Sequence, residues 1–173
     1  MWQKLIAGAC VMTGALGFGW SLCGEMNCEI RQLKAQKQIL LYMIGEISYL
    51  HRPVEEIIDL LADKMEAPYD AFLVNLSKKI QQRSGKGIIQ LWQEELYSME
   101  ETTTLSKIAQ MYLKKMGDCL GCEGDRLQIE ALRLFESELD DAIHKATIKK
   151  EENSRLIKAL STLTGILCIV LFL

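Results

Sequence analysis

The fold is decided by residues 125–173, which read DRLQIEALRLFESELDDAIHKATIKKEENSRLIKALSTLTGILCIVLFL. This segment contains no proline, and its first part carries apolar side chains three or four residues apart, as on one face of a helix: Leu132, Phe135, Leu139, Ala142 and Ala146. From Ala159 to Leu173 it has no charged residue. As a continuous helix it would be about 70 Å long. We therefore predict one helix that runs from a polar domain into an apolar C-terminal segment.

The N-terminal part of the chain is apolar as well. Leu5 to Cys23 is a run of 19 residues without a charged side chain. As a helix it rises about 28 Å, close to the roughly 30 Å hydrocarbon thickness of a bilayer. The C-terminal run is shorter, but Leu156 and Ile157 extend it if the neighbouring basic side chains reach the membrane interface. The sequence thus predicts a short extracytoplasmic end at 1–4, transmembrane helices at 5–23 and 156–173, and a domain at 24–155.

Each apolar run has an alternative interpretation. The first run, with Lys4 as its charged start, also resembles a cleaved signal peptide. Trp20 and Leu22 argue against cleavage, because they put bulky side chains where a signal peptidase requires small ones. The second run also fits the core helix of a soluble bundle, since apolar runs of about 10–14 residues are ambiguous. Its fully apolar end favours a membrane span.

The basic residues near the two runs predict the side of the membrane on which the domain lies. Apart from Lys4, they follow the first run and precede the second: Arg31, Lys34, Lys37, Lys145, Lys149, Lys150, Arg155 and Lys158. Segments rich in Lys and Arg next to membrane spans stay in the cytoplasm. We therefore expect the central domain to be cytoplasmic.

The domain between the runs has helical periodicity throughout. Residues 25–158 hold 19 basic residues and all 23 acidic ones, a mildly acidic balance that argues against a nucleic-acid binder, which would present a basic face. Breaks between helices are supplied by Pro53, Pro68 and the segments 84–87 and 121–124. The predicted fold is all-α, an antiparallel helical bundle of about six helices flanked by N- and C-terminal transmembrane helices.

The inward-facing side chains of each helix follow from the same periodicity. They are Leu33, Leu40, Ile44 and Ile47; Val54, Ile57, Ile58, Leu61 and Met65; Phe72, Leu73, Leu76 and Ile80; Ile88, Ile89, Trp92, Leu96 and Met99; and Leu105, Ile108, Tyr112 and Met116. Thr102 to Thr104 are predicted to cap the fifth helix. Asp125 and Gln128 are predicted to form a pair like a capping box at the start of the sixth.

Cys119 and Cys122 form the most conspicuous candidate for chemistry. A redox pair favours a helix N-terminus, where the dipole lowers a thiol pKa, whereas this pair lies at the C-terminal end of a predicted helix. A zinc site needs two further ligands, and Cys28, His51 and His144 lack ligand spacing. Cysteines in a reducing cytosol mostly act as small apolar residues. We therefore expect no chemistry at this pair. The alternative interpretation is a small metal-binding or redox membrane protein that uses Cys119 and Cys122.

Other patterns indicate surface charge rather than catalysis. Ser84 to Gly87 lacks the first glycine and the final Ser or Thr of a phosphate loop, and is predicted to be a turn. Glu55 and Glu56 are adjacent on a helix and typical of a solvated face. The basic group from Lys78 to Lys86 complements a helix dipole or docks an acidic partner. No histidine has a nucleophile at recognisable spacing, so we predict a protein that is not an enzyme and has no cofactor or metal.

Several short segments, in their order and spacing, resemble a known family. They are Leu5-Ile6-Ala7-Gly8, Arg31-Gln32-Leu33, Glu46-Ile47-Ser48-Tyr49 leading to Pro53-Val54, Leu91-Trp92 through Leu96, Leu120-Gly121 with Asp125 and Gln128, and Leu163-Thr164-Gly165 through Leu173. Over essentially its whole length the chain resembles the stage III sporulation protein AB family of endospore-forming bacteria. It departs from the family at Arg52, where a small Thr commonly precedes the proline, and at Val54, which replaces a Leu. The cysteine pair is not a family hallmark.

The resemblance implies a sporulation protein of the mother-cell side, in the outer forespore membrane, within a secretion-like channel complex. Its domain would be similar to the cytoplasmic domains of the type II secretion platform protein F. The implied partners are a sporulation secretion-type ATPase and other membrane subunits of the complex. On the matching positions it implies a partner-binding or structural motif of Glu46, Tyr49, Pro53, Trp92, Gly121, Asp125 and Gln128. Helix-junction packing and partner contact both stay open as roles for these residues.

Overall fold

The computed structural model describes the backbone of residues 2–82, 85–102, 105–121 and 124–172. Side chains are described for residues 24–82, 85–99, 105–121, 124, 126–157, 159–160 and 163. The described part of the chain forms six helices and no strand: α1 Trp2–Leu50, α2 Val54–Ala62, α3 Tyr69–Gln81, α4 Ile88–Thr102, α5 Lys107–Cys119 and α6 Asp125–Phe172. The predicted all-α fold is confirmed.

The chain divides into two compact units. The first unit, Arg31–Ile143, contains α2 to α5 with the C-terminal part of α1 and the N-terminal part of α6, and we call it the bundle. The second unit comprises Met1–Ile30 and His144–Leu173, the remaining parts of α1 and α6. In this second unit the Asn153 amide lies 3.5 Å from the Met26 sulfur. The predicted unbroken last helix is confirmed, because α6 continues through Lys149 to Asn153 without interruption.

The two predicted membrane spans lie largely outside the residues whose side chains are described. The side chains of 5–23 lie outside the described residues, and so do most of those in 156–173. Among the residues that are described, no helix contains an apolar stretch long enough to cross a bilayer. The transmembrane assignments therefore stay predictions.

The core of the bundle is built from the apolar stripes that the sequence predicts. All four stripe residues of α1 are buried, and so are Ile57, Ile58 and Leu61 of α2 and Leu132, Phe135 and Leu139 of α6. Both α3 and α4 bury the centre of their stripes, with Phe72, Leu73, Leu76, Trp92, Leu96 and Met99 all within the core. Burying an apolar side chain of this size contributes about 1.5–3 kcal/mol. Hydrophobic periodicity thus identified the inner face of most helices.

Helix α5 is the exception, since its buried face is turned by one residue from the prediction. Leu105 and Met116 are buried as expected, but Ile108 is 41% exposed and Ala109 and Leu113 fill the core instead. The predicted cap at Thr102 to Thr104 is also wrong. Ser106 is the N-cap, and its hydroxyl accepts a hydrogen bond from the Ala109 amide at 3.1 Å.

The hydrogen bonds and ring contacts give the direction of the neighbouring helices. Gln32 contacts Ser106 and Gln36 contacts Ala109, so α1 and α5 run the same way. Gln128 contacts Leu120 and Phe135 contacts Tyr112, so α6 runs opposite to α5. In α4, Ile89 lies at Gly121 and Trp92 at Gly117, which makes α4 antiparallel to α5 as well. The end of α1, the start of α4, the end of α5 and the start of α6 consequently meet at one end of the bundle.

Candidate functional site

The candidate residues of the sequence gather at that end, which we call the connection end. It consists of the described residues 46–54, 85–89, 117–121 and 124–128. From the level of Gln36 and Ala109, α1 and α5 both advance by about 16 Å over eleven residues, which brings Ile47 level with Leu120. Six of the seven candidates lie in this end, and Trp92 lies about one helical turn below it.

The corner between α1 and α2 is closed by local contacts. His51 has a φ of 48°, the left-handed conformation that ends a helix, and its Nδ1 lies 3.1 Å from the Ile47 carbonyl oxygen. The Arg52 amide donates to the Glu46 carbonyl oxygen at 3.4 Å. Pro53, with a φ of −63°, then caps α2, a position at which its missing N–H costs nothing. Pro53 therefore has a structural role in this corner, at the start of α2.

Glu46 is held against the same corner by charge. Its side chain is only 14% exposed, and Oε2 lies 3.5 Å from Nη1 of Arg52. The contact is an ion pair without hydrogen-bond geometry, and no described group donates a hydrogen bond to this oxygen.

Tyr49 and its neighbour Leu50 present large side chains to the solvent. Tyr49 is 86% exposed and Leu50 is 57% exposed, although both are large and mostly apolar. Adjacent exposed aromatic and aliphatic side chains at the end of a helix are typical of a protein-contact surface. Within the candidate set, Tyr49 has the property expected of a residue that touches a partner.

Trp92 and two glycines form the contact between α4 and α5. The Trp92 indole is fully buried, donates from Nε1 to the Leu113 carbonyl oxygen at 3.0 Å, and meets the Phe72 ring edge-on at 4.9 Å. A Cβ at Gly117 would overlap this indole, and a Cβ at Gly121 would overlap the end of the Ile89 side chain. Trp92 and Gly121 therefore have packing roles, and Gly117 is a packing residue that the sequence analysis missed.

Gln128 joins the start of α6 to the end of α5. Its amide nitrogen donates to the Leu120 carbonyl oxygen at 3.0 Å, and the side chain is 8% exposed. Leu120 caps the C-terminus of α5, where carbonyl groups lack partners within the helix. The predicted capping pair of Asp125 and Gln128 lies partly outside the described residues and stays a prediction. Asp125 begins α6, but its side chain lies outside the described residues.

The basic group from Lys78 to Lys86 is partly neutralised by α4. Lys79 pairs with the buried carboxylate of Glu95 at 2.8 Å, and Lys86 pairs with Glu94 at 2.5 Å. The hydrogen bond from Lys86 lowers the pKa of Glu94. Arg83 lies outside the described residues. Two of the basic side chains that were predicted to dock an acidic partner are thus engaged in ion pairs within the bundle.

The cysteine pair is described only at one member. Cys119 is the half-buried last residue of α5, whereas Cys122 lies outside the described residues. Its position at a helix C-terminus is the predicted one, and the dipole there opposes thiolate formation. No three His, Cys, Asp or Glu side chains in the described parts of the chain are grouped so that they would hold a metal.

A buried polar cluster deeper in the bundle escaped the sequence analysis. Gln36 and Tyr69 have no exposed surface and hydrogen-bond to each other at 2.9 Å. The signal that would have revealed it is a pair of glutamines, Gln32 and Gln36, one turn apart on the apolar face of α1. A polar residue on such a face is buried only when it finds partners.

Three comparisons with known proteins agree. The family model for stage III sporulation protein AB matches residues 4–173. The chain is 25% identical to stage III sporulation protein AB of Bacillus subtilis (strain 168) over 173 residues, which covers 98% of this chain and 99% of that protein. A solved structure of a stage III sporulation protein AB superposes with a TM-score of 0.64 at 21% identity, over 72% of this chain and 98% of the other. This last likeness is one of fold.

Proposed function

The chain belongs to the stage III sporulation protein AB family, and we propose that it is a non-enzymatic platform or adaptor subunit. In this proposal it couples a cytoplasmic sporulation secretion-type ATPase to the membrane subunits of a channel complex between mother cell and forespore. Residues 5–23 and 156–173 hold it in the outer forespore membrane on the mother-cell side. The bundle faces the mother-cell cytoplasm.

The connection end supports this proposal most directly. Gly121 and Gln128, with Trp92 one turn below them, hold α4, α5 and α6 against one another. Tyr49 and Leu50 project from this fixed framework into solvent. A preorganised support with exposed apolar anchors is the arrangement by which an adaptor binds a partner at low entropic cost. Each described candidate packs against a neighbouring segment of the bundle or faces the solvent.

Three leucines in the second unit support the membrane part of the proposal. Leu156, Leu160 and Leu163 lie on one side of α6 and are 60%, 63% and 65% exposed. Spacings of four and three residues place them in one stripe. In water such a stripe would leave a large apolar surface uncovered, whereas lipid would cover it.

The proposal is tested by site-specific photo-crosslinking in sporulating cells. A photoreactive amino acid at Tyr49 is expected to give an adduct with the secretion-type ATPase, identified by mass spectrometry. Because Tyr49 is the most exposed apolar residue of the connection end, it samples a docked partner with little effect on the fold.

The matched control is Gln38, which is also exposed and lies on the same face of α1, about three helical turns earlier. It should give no ATPase adduct. Equal adducts from both positions would remove the connection end as the docking surface. Absence of any ATPase adduct from Tyr49, Leu50 or Pro53 would overturn the coupling role itself.

A further inference from the structure

The buried polar cluster links three helices that are distant in sequence. Gln36 of α1 donates both amide hydrogens, to the Tyr69 hydroxyl of α3 at 2.9 Å and to the Ala109 carbonyl oxygen of α5 at 2.7 Å. Tyr69 in turn donates to the Gln32 carbonyl oxygen at 3.2 Å. The Gln32 side-chain oxygen accepts from the Ser106 amide at 3.0 Å. We call these residues the glutamine cluster: Gln32, Gln36, Tyr69, Ser106 and Ala109.

The glutamine cluster is a poor way to stabilise the bundle. Gln36 and Tyr69 are fully buried, and the buried Gln36 side-chain oxygen has no hydrogen-bond partner among the described residues. A buried amide loses its hydrogen bonds to water, and here the protein replaces those of the Gln36 nitrogen but not those of its oxygen. An apolar side chain of the same volume would fill this space without that cost.

The apolar residues of α1 do not define its axial position well. A slide of α1 by one turn, about 5.4 Å, towards its C-terminus puts Ile39 where Met43 lies and Leu40 where Ile44 lies. All four side chains are buried and apolar, and hydrophobic burial is non-directional, so much of the core contact survives such a slide. The hydrogen bonds of the glutamine cluster do not survive it, because they have narrow limits of distance and angle.

We propose that the glutamine cluster is a register lock, which sets the axial position of α1 against α3 and α5 rather than contributing to stability. Its bonds reach α3 through Tyr69 and α5 through Ala109 and Ser106, so α1 is fixed against both helices at one level. A single buried polar group that fixes the register of packed helices is an established use of such groups. A displacement along α1 would then move α3 and α5 with it.

The test replaces the cluster by apolar residues and measures the position of α1. The double variant Gln36→Met with Tyr69→Phe keeps the side-chain volumes and removes the hydrogen bonds at the centre. Spin labels are placed at Arg31 and Lys114, both exposed, in the full chain with its six native cysteines replaced. These positions are offset by about 15 Å along the parallel helices α1 and α5, so an axial slide changes their distance.

The parent chain should give one narrow distance distribution. The double variant should have an unfolding midpoint equal to or above that of the parent, with a broadened distribution or a second peak. Leu40→Met is the matched control, a buried substitution one turn along the same face of α1 that leaves every bond of the cluster in place. It should keep the narrow distribution.

Two outcomes would overturn the register lock. One is a double variant whose distance distribution is as narrow as that of the parent and centred at the same value. The other is a double variant that unfolds well below the parent or fails to fold, because the cluster would then be needed for stability. Tyr69→Phe alone, which leaves Gln36 bonded to Ala109, should give an intermediate width.

Discussion

Two regions towards the same end of the bundle differ in how far their candidate residues are buried. They are the contact between α4 and α5 and the corner between α1 and α2. The first contact encloses Trp92 completely and requires glycine at position 117. The second leaves Tyr49 86% exposed beside a helix end held by backbone bonds. Residues that looked equivalent in one sequence motif thus divide into a supporting group and an exposed group, and mutation should separate the two.

The largest expected effect is that of Trp92→Ala. It removes a fully buried indole that packs on Phe72 and bonds Leu113, so the free energy of unfolding should fall by about 3–5 kcal/mol. Urea unfolding of the full chain followed by far-UV circular dichroism measures the loss. Trp92→Phe should lose clearly less, because it keeps most of the ring. A loss below about 1 kcal/mol for Trp92→Ala, the size typical of ordinary substitutions, would show that the contact is not a support.

The second largest loss in the free energy of unfolding is expected for Gly117→Ala. The added Cβ would overlap the rigid rings of the fully buried indole, and overpacking of this kind costs about 1–3 kcal/mol. Gly121→Ala should cost less, because it meets only the terminal atoms of Ile89. Gly87→Ala is the control, since nothing lies within 4 Å of its added Cβ. Equal losses at positions 117 and 87 in thermal unfolding would contradict the close approach of α4 and α5.

A smaller effect is expected for Gln128→Met. The substitution keeps the length of the side chain but leaves the Leu120 carbonyl oxygen without its side-chain donor, which should cost about 0.5–1.5 kcal/mol. Urea unfolding again gives the value. The exposed Gln38→Met is the matched control and should be neutral. If both variants were neutral, Gln128 would have no supporting role at the connection end.

The smallest effect on stability, and the largest on partner binding, is expected for Tyr49→Ser. Tyr49 lies almost entirely in solvent, so its loss should change the unfolding free energy by no more than about 0.5 kcal/mol. Co-purification with the secretion-type ATPase from sporulating cells should drop. Stable protein that retains its partner at the parent level would place the docking surface elsewhere.

The sequence predicted the fold well because each helix has a simple apolar period. The inner faces of α1, α2 and α6 and the unbroken course of α6 through Lys149 to Asn153 follow from that period and from the absence of proline. Helix α5 was less predictable. Its core face depends on Ser106 as the cap, a local signal that competes with the threonines before it. It also depends on the fit of Trp92 against Gly117, which is settled by α4 rather than by spacing along α5.

Candidate residues could be chosen from the sequence, but their contacts could not be predicted from it. Glu46, Tyr49, Pro53, Gly121 and Gln128 were all identified from short segments, and the helix directions place them towards one end of the bundle. Their spacing did not reveal that Gln128 bonds Leu120 on a different helix, or that Tyr49 is exposed while Trp92 is buried. Such differences arise from contacts between separate helices, which the apolar period of a single helix does not encode.

The sequence by itself determined that this chain is helical, where its helices break and which of their faces turn inward, because these features depend on local propensity and on periodicity. Only the tertiary structure decided which ends meet, which glycines are obligatory and how α1 is positioned along α3 and α5. Burial of apolar surface is non-directional and tolerates many arrangements. The choice among them rests on directional bonds such as those of Gln36 and on steric fits such as that of Trp92 against Gly117, which exist only once the helices are packed.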